Sequence, residues 1–334
     1  MAENSKIEWC DHTFNPWRGC TKVSEGCAHC YAETLSKRNP TVLGEWGPGK
    51  PRVKASPAMW QQPLKWDREA GAAQHENEWS SDDRPPDMPR PRVFCASLAD
   101  WLDDEVPIEW LAELMELIMR TPNLDWLLLT KRPQNFKGRM NAALKRILKA
   151  TGGEPCNEAD FIDGWVNKCD TIPANVWIGA TVENQARADE RIPHLLSIPA
   201  KVRFLSCEPL LGPLDIEEHL EDQLDGGYVL GSAPIHWVIC GGESGTHARA
   251  MHPEWARSLR DQCSAAGVPF FFKQWGEWLP GCQYREGDRE RFRKKAQHSF
   301  CHDHHSWWVG KKLAGRMLDD RTHDEFPQVE RRPA

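Results

Sequence analysis

The sequence lacks an apolar run of membrane-spanning length, and it does not open with a charged segment followed by an apolar one. We therefore expect no secretion signal, no membrane partner and a cytoplasmic location. Positive charge is not in excess either, because 42 basic side chains face 49 acidic ones and the formal net charge is -7. This balance argues against a protein that coats nucleic acid along its whole surface, but it permits a local basic groove.

Cysteine, by contrast, is abundant, with 12 residues in the chain. Without a secretion signal, a disulfide framework is not expected. Cys20, Cys27 and Cys30 follow a C-x6-C-x2-C pattern. Three thiolates can hold a cubane iron–sulfur cluster with one iron open to another ligand, whereas a structural zinc site normally uses four protein ligands. Two alternatives stay open, namely a zinc site completed by His29 or His12 and three ordinary reduced cysteines.

The other cysteines are less informative. Cys95, Cys207 and Cys240 lie in or just after apolar segments, where cysteine usually packs as a small hydrophobic residue. A weaker candidate for a second metal site combines four cysteines with a histidine-rich stretch. Its members are Cys156, Cys169, Cys282, Cys301, His302, His304 and His305.

Short apolar runs alternate with helical stretches along most of the chain. Strands are predicted at residues 92–97, 125–129, 176–181, 202–206, 237–240 and 268–272, and a further one within 6–14. Helices are predicted at 31–37, 107–121, 184–197 and 252–266, the last of them stopped by Gly267. Six or seven strand–helix units predict an α/β fold with a partial or complete parallel (β/α) barrel.

The expected organisation is one barrel-like domain over residues 1–280, with the first cysteines on a loop at 14–33. Polar or proline-containing segments near 68–91, 151–173 and 215–233 are predicted to be insertions or loops, and the last of these is expected to cover a face of the sheet. The polar residues 281–334 are predicted to form a C-terminal extension that packs on the barrel.

Polar side chains follow nearly every predicted strand. The carboxyl ends of parallel strands meet at one mouth, where ligands bind, so we predict a polar pocket there together with the cysteine loop. Turns and helix caps require some polar residues in any case, which explains part of this pattern. The candidate site residues are Ser97, Asp100, Lys131, Arg132, Glu183, Asn184, Glu208, Gly241, Gly242, Glu243 and Lys273.

The glycine-rich stretch GGESG at residues 241–245 follows one of these strands. It lacks the Lys-Ser/Thr ending of a phosphate-binding loop and the spacing of a dinucleotide fingerprint. We interpret its glycines as room for a close approach of the backbone to a ligand.

Several motifs, taken in order, resemble the phage Gp37/Gp68 family (DUF5131). The resemblance rests on FNPW and the three cysteines at 14–33, TKRP at 130–133, GATVEN at 179–184, SCEPLLG at 206–212, GGESG at 241–245, KQWG at 273–276 and GRMLD at 315–319. It covers the chain from about residue 7 to about residue 328. The family is similar to radical S-adenosylmethionine enzymes, although the common radical pattern has three residues in the first cysteine gap and an aromatic residue before the last cysteine.

The resemblance implies a [4Fe-4S] cluster on Cys20, Cys27 and Cys30, whose fourth iron chelates the amino and carboxylate groups of S-adenosylmethionine. An electron donor would reduce the cluster, and reductive cleavage would give methionine and a 5′-deoxyadenosyl radical that abstracts hydrogen from a substrate. Cys207 or Tyr31 is a candidate to return a hydrogen atom to the substrate radical.

The same resemblance gives roles to the polar strand ends. Ser97 and Asp100 are candidates for the cofactor's ammonium and ribose hydroxyls. Lys131 and Arg132 suit its carboxylate or a substrate phosphate, since arginine can bind either with two hydrogen bonds. The candidates for ribose or polar substrate groups are Glu183, Glu208 and Glu243.

The substrate is expected to be a nucleic acid or a nucleotide, because of the phage association and a basic, aromatic C-terminal part. Residues 285–295 are rich in arginine and lysine, and four of the chain's 17 tryptophans are near them, namely Trp275, Trp278, Trp307 and Trp308. Basic and aromatic residues together can bind single strands. A solvated surface over a tryptophan-rich core explains the same pattern. The rival function is a non-enzymatic, zinc-stabilised module that binds nucleic acid or protein.

Overall fold

The structure, a computed structural model, describes residues 3–79, 89–220 and 235–328. The strands in these residues are β1 (His12–Phe14), β2 (Trp17–Arg18), β3 (Val53–Lys54), β4 (Arg92–Cys95), β5 (Asp125–Thr130), β6 (Val176–Thr181), β7 (Val202–Cys207), β8 (Trp237–Gly241), β9 (Phe270–Gln274), β10 (Trp278–Pro280), β11 (Gln297–Ser299) and β12 (His305–Trp308). The helices are α1 (Tyr31–Arg38), α2 (Pro40–Leu43), α3 (Pro57–Trp60), α4 (Gln62–Trp79), α5 (Ile108–Met119), α6 (Phe136–Ala150), α7 (Asn157–Asp163), α8 (Gln185–Leu196), α9 (Glu217–Leu220), α10 (Pro253–Ala265), α11 (Asp288–Phe292) and α12 (Lys311–Ala314).

Seven strands form one sheet in the order β1-β4-β5-β6-β7-β8-β9. The neighbours β1 and β4, β4 and β5, β7 and β8, and β8 and β9 are parallel. Helices connect successive strands, and the strand order follows the chain, as in a partial parallel (β/α) barrel. The predicted α/β fold is therefore confirmed. Among the described residues, every helix is too short or too polar to cross a membrane.

Contacts within the chain divide it into two compact units. The first consists of residues 1–21, 32–178 and 198–201, and the second of residues 22–31, 179–197 and 202–334. The first unit contains β1 to β5, and the second contains β7 to β12.

In the first unit, α5 shows why the sequence predicts a helix at this position. Pro107 precedes the helix, and Leu111, Leu114, Met115 and Ile118 form a stripe of buried side chains at helical spacing. Proline is tolerated at a helix start because the first backbone N–H groups have no partner within the helix.

The second unit is built on strands whose residues are all buried. Every residue of β7 and β8 lies inside, which is typical of parallel strands covered on both faces. Most of these residues are apolar, and the buried exceptions in β7 are Arg203 and Ser206. Gly179 in β6 faces the Phe204 ring of β7, and a Cβ at Gly179 would overlap that ring. The aromatic ring therefore takes the space that a larger residue at position 179 would need.

Two of the segments predicted as loops are largely helical. Residues 62–79 form α4, which includes residues 68–79 of the predicted loop at 68–91. Residues 80–88 of that loop lie outside the described part of the chain. Residues 151–173 contain α7 and a π-helical turn at Gly164–Lys168. Helix α4 was not predicted, because its sequence is mostly polar and shows no apolar stripe. Of the predicted cover at 215–233, residues 217–220 form α9 and residues 221–233 lie outside the described residues.

The predicted strand at 268–272 begins later than expected. Gly267 has a left-handed conformation with φ +67°, and the backbone N–H of Val268 donates to the carbonyl of Cys263 at 2.9 Å. Val268 is thus part of the turn that ends α10, and β9 begins at Phe270. The helix stop at Gly267 is confirmed. At the other end of the chain, only His12–Phe14 of the predicted strand within 6–14 is extended.

Candidate functional site

The three N-terminal cysteines are half-buried free thiols. Cys20 belongs to the first unit, while Cys27 and Cys30 belong to the second. A guanidinium nitrogen of Arg132 lies 3.6 Å from the Cys20 sulfur. Burial raises the pKa of the Cys20 thiol to about 12, Asp100 adds to the rise, and the positive charge of Arg132 opposes it. Cys20 is therefore protonated at neutral pH unless a metal or another cation stabilises the thiolate.

Asp100 organises the polar residues of the first unit. Its carboxylate accepts hydrogen bonds from the Thr130 hydroxyl at 2.6 Å and from the backbone N–H of Lys131 at 2.9 Å. Arg132 and the backbone N–H of Leu102 donate to the same carboxylate, at 2.9 and 3.0 Å. Both carboxylate oxygens are thus bound by groups of the chain, and Asp100 fixes the end of β5 and the direction of Arg132.

Ser97, a further predicted cofactor contact in this unit, is held by Asn15. The Asn15 amide nitrogen donates to the Ser97 hydroxyl oxygen at 3.0 Å. The Asn15 amide oxygen accepts the backbone N–H of Leu98 at 2.7 Å. Asn15 therefore ties the end of β1 to the turn after β4.

In the second unit, a fully buried carboxylate holds the cysteine segment. Glu183, just after β6, accepts a hydrogen bond from Arg191 of α8 at 2.8 Å, and the two side chains are 0% and 2% exposed. Its other oxygen accepts the backbone N–H of Gly26 at 3.1 Å. A Cβ at Gly26 would lie 2.9 Å from that oxygen, so the residue before Cys27 must be small. Glu183 thereby positions the backbone that carries Cys27.

A second buried carboxylate, Glu243 after β8, anchors the same segment. Arg249 binds both its oxygens, at 2.6 and 2.8 Å, and a ring nitrogen of His29 lies 3.1 Å from it. Arg249 also donates to the carbonyl of Glu25 at 3.1 Å. Burial acts to raise the pKa of Glu243, but the hydrogen bonds from Arg249 and His29 outweigh it and hold that pKa below its usual value. Residues 25–29 are therefore fastened to the ends of β6 and β8.

Replacing Glu243 by glutamine is expected to lower the free energy of unfolding by about 1–3 kcal/mol at neutral pH, because hydrogen bonds to a charged group are lost. Since folding lowers the pKa of Glu243, its contribution is present above the unfolded pKa and is lost as the pH falls through the folded one. The gap between Glu243→Gln and wild type in urea unfolding should therefore shrink in acid. Glu286→Gln, at an exposed residue, is the control; an equal gap at every pH would contradict the prediction.

Glu208 and Lys273 form a third ionic contact in the second unit. The Lys273 ammonium lies 2.7 and 2.8 Å from the two Glu208 oxygens, and the side chains are 15% and 18% exposed. Gln274 donates to the same carboxylate at 3.4 Å. The pair joins the ends of β7 and β9 and remains accessible from solvent.

The glycines after β8 serve a contact within the chain. A Cβ at Gly242 would overlap the carbonyl of Trp275, and a Cβ at Gly276 would overlap the carbonyl of Glu243. Gly276 also has a φ of +79°, which side chains disfavour. The loops after β8 and β9 thus touch through their backbones. The close approach expected from the glycine-rich sequence exists, but its partner is this neighbouring loop.

The comparison with protein families decides the membership of the chain. The model of DUF5131, described as a protein of unknown function, matches residues 4–327. The chain belongs to this family. No curated protein and no solved structure matches it. The DUF5131 membership expected from the motifs is confirmed, and the likeness to radical S-adenosylmethionine enzymes stays a prediction.

The remaining predicted residues of this DUF5131 protein have varied surroundings. Cys207, the last residue of β7, is fully buried, and burial raises its pKa well above the usual value. Such a buried thiol is unreactive in the folded protein. Tyr31 begins α1 and is 51% exposed. Asn184 caps α8 by accepting the backbone N–H of Arg187 at 3.1 Å, and Gly241 ends β8.

The two arginines that pair with the buried carboxylates, Arg191 and Arg249, were not predicted from the sequence. Arg191 lies on the buried side of α8 with Ala188, Ile192 and Leu195, and a charge at such a position is a signal that could have been noticed. Arg249 lies in a loop after β8, where no periodicity marks it. Only the folded chain shows that it faces Glu243.

The three cysteines provide thiolate donors of the kind that hold iron–sulfur clusters. Thiolates are the ligands of such clusters, and each of three irons takes one cysteine. A structural zinc site normally has four protein donors. Among the described residues, no group of three or more His, Cys, Asp or Glu side chains is arranged to hold a metal ion, and this includes Cys20, Cys27 and Cys30. His29 is bonded to Glu243, and the His12 ring stacks on Trp66 at 4.3 Å.

Proposed function

We propose that this DUF5131 protein is a radical S-adenosylmethionine-type enzyme whose Cys20, Cys27 and Cys30 hold a [4Fe-4S] cluster. The observation that carries the proposal is the anchoring of the Cys27 and Cys30 segment at the carboxyl ends of β6 and β8 by Glu183 and Glu243. Ligand sites of parallel α/β proteins lie at these strand ends. The three free thiols supply the donors.

When bound, the cluster and S-adenosylmethionine would supply one-electron reduction and radical hydrogen abstraction. The chain's own residues would bind and orient the cluster and S-adenosylmethionine and exclude water from them. The Arg132 guanidinium favours the thiolate form of Cys20, against the effect of burial. The carboxylate of Glu243 stays ionised because Arg249 binds both its oxygens.

The Glu208 and Lys273 pair suits polar substrate groups, because both charged side chains are held in place by their ion pair and are still partly exposed to solvent. The proposal requires an electron donor and S-adenosylmethionine as partners, and it assigns the protein to the cytoplasm. A nucleic acid or nucleotide substrate fits the basic and aromatic residues of the second unit.

The test is to purify the protein without oxygen, reconstitute it with iron and sulfide, and measure iron, acid-labile sulfide and zinc. We expect about four irons and four sulfides per chain. The reduced protein should give an EPR signal that changes when S-adenosylmethionine is added, because the open iron binds it. One tightly bound zinc, with no cluster and no spectral response, would support the non-enzymatic zinc module instead.

A further inference from the structure

The segment that follows β10 in the second unit is exposed and basic. Residues 285–295 carry six basic and three acidic side chains, and all six basic ones are exposed. Arg293 pairs with Glu290 at 3.2 Å. Arg289, Lys294 and Lys295 form no ion pair with any residue that the structure describes. These three cations are therefore available to an anionic partner.

Aromatic side chains lie on a small antiparallel sheet of order β10-β12-β11, here called the C-terminal sheet. The backbone N–H of Trp308 on this sheet donates to the carbonyl of Ala296, the residue after Lys295, at 2.9 Å. Trp278, Trp307 and Trp308 are half-exposed, so part of each ring reaches solvent. Trp278 and Trp308 pack edge to face at 5.1 Å, and the exposed His298 lies 5.9 Å from Trp278. Trp275, grouped with them from the sequence, is 0% exposed and unavailable for stacking.

The C-terminal sheet is joined to the loop that carries Glu243. The Trp278 indole N–H donates to the carbonyl of Ala248 at 2.6 Å, next to Arg249. The neighbouring Glu277 carboxylate accepts the backbone N–H of Gly245 at 3.0 Å. A chain of nucleotides lying on this sheet would therefore pass close to the proposed site.

We propose that the C-terminal sheet and residues 285–295 bind single-stranded nucleic acid. Arg289, Lys294 and Lys295 contact phosphates, and bases stack on Trp278 and Trp308. Stacking needs unpaired bases, since the π faces in a duplex are already covered. The binding surface stands on its own contacts; that it delivers substrate to the cysteine site rests on the proposed function.

The test is fluorescence anisotropy of the full-length protein with labelled single-stranded DNA, single-stranded RNA and duplex DNA of mixed sequence. Single strands should bind more tightly than duplex. Each phosphate contact contributes about -0.7 to the slope of log K against log salt, so three contacts predict a slope of about -2. Affinity should then fall about 20-fold between about 50 and 200 mM salt.

Two sets of variants separate the charge and stacking contributions. Lys294→Ala with Lys295→Ala should make the salt slope shallower by about 1.4. Trp308→Ala should weaken binding about 5-fold or more at an unchanged slope, and Trp308→Phe should restore most of it. The control is Lys145→Ala with Lys149→Ala, which removes the same charge from exposed positions of α6.

Three results would overturn the proposal: no saturable binding of single strands at low salt, duplex binding as tight as single-strand binding, or an equal loss in the α6 control. Because binding is measured without turnover, it can succeed in a protein that holds no cluster. Such a result would refute the proposed function and leave the binding surface standing.

Discussion

Replacing Cys27 by serine should abolish the cluster and any cleavage of S-adenosylmethionine. A serine hydroxyl stays protonated near neutral pH and is a much poorer iron ligand than a thiolate, and the two remaining cysteines leave a second iron without a thiolate ligand. Iron and sulfide content should fall from about four per chain to near zero after anaerobic reconstitution, and the EPR response to S-adenosylmethionine should disappear.

The matched control is Cys169→Ser, which makes the same atomic change at an exposed thiol outside the candidate site. It should keep iron, sulfide and the EPR response of the wild type. Circular dichroism checks that both variants are folded. A Cys27→Ser protein with full iron content and unchanged S-adenosylmethionine cleavage would refute the assignment of the three cysteines.

Replacing Arg191 by methionine should destabilise the protein by about 3–5 kcal/mol, because it leaves the Glu183 carboxylate charged, buried and without its cation. Chemical denaturation at neutral pH measures the loss. Arg187→Met on the same helix is the control, since Arg187 forms a more exposed pair with Glu190 and should cost less than about 1 kcal/mol.

A double variant, Glu183→Met with Arg191→Met, separates the fold from the site. Replacing both members of a buried ion pair by apolar residues is often close to neutral, so much of the lost stability should return. Gly26 still loses the acceptor of its backbone N–H, and reconstituted iron should therefore stay below wild type. Full iron content in the double variant would show that Glu183 does not position Cys27.

The fold was largely predictable, because most residues of its parallel strands are apolar. Residues 176–181 were predicted to the residue, and β7 and β8 each extend one residue further than expected. Helix α4 was missed for the opposite reason. Its polar sequence leaves few buried side chains, so no periodicity separates it from a loop.

The site was predictable only in part. The carboxylates after the strands, Glu183 and Glu243, were found because strand ends in a parallel sheet carry ligand-binding residues. Their roles in holding the cysteine segment were not predicted, because the hydrogen bonds from Gly26 and Arg249 join residues that the fold brings together. Asp100 shows the same limit: its position is as predicted, but its oxygens are bound by the chain itself.

The contact between the loops after β8 and β9 has a consequence for evolution. Gly242 and Gly276 each occupy a place where any Cβ would overlap the opposing backbone. Substitution at one position cannot be compensated by a change at the other, because the obstructing atoms belong to the main chain. Glycine should therefore be invariant at both positions in an alignment of relatives that keep this loop contact. Because invariant positions cannot covary, residue covariation would not detect this contact, which is one of the closest in the second unit.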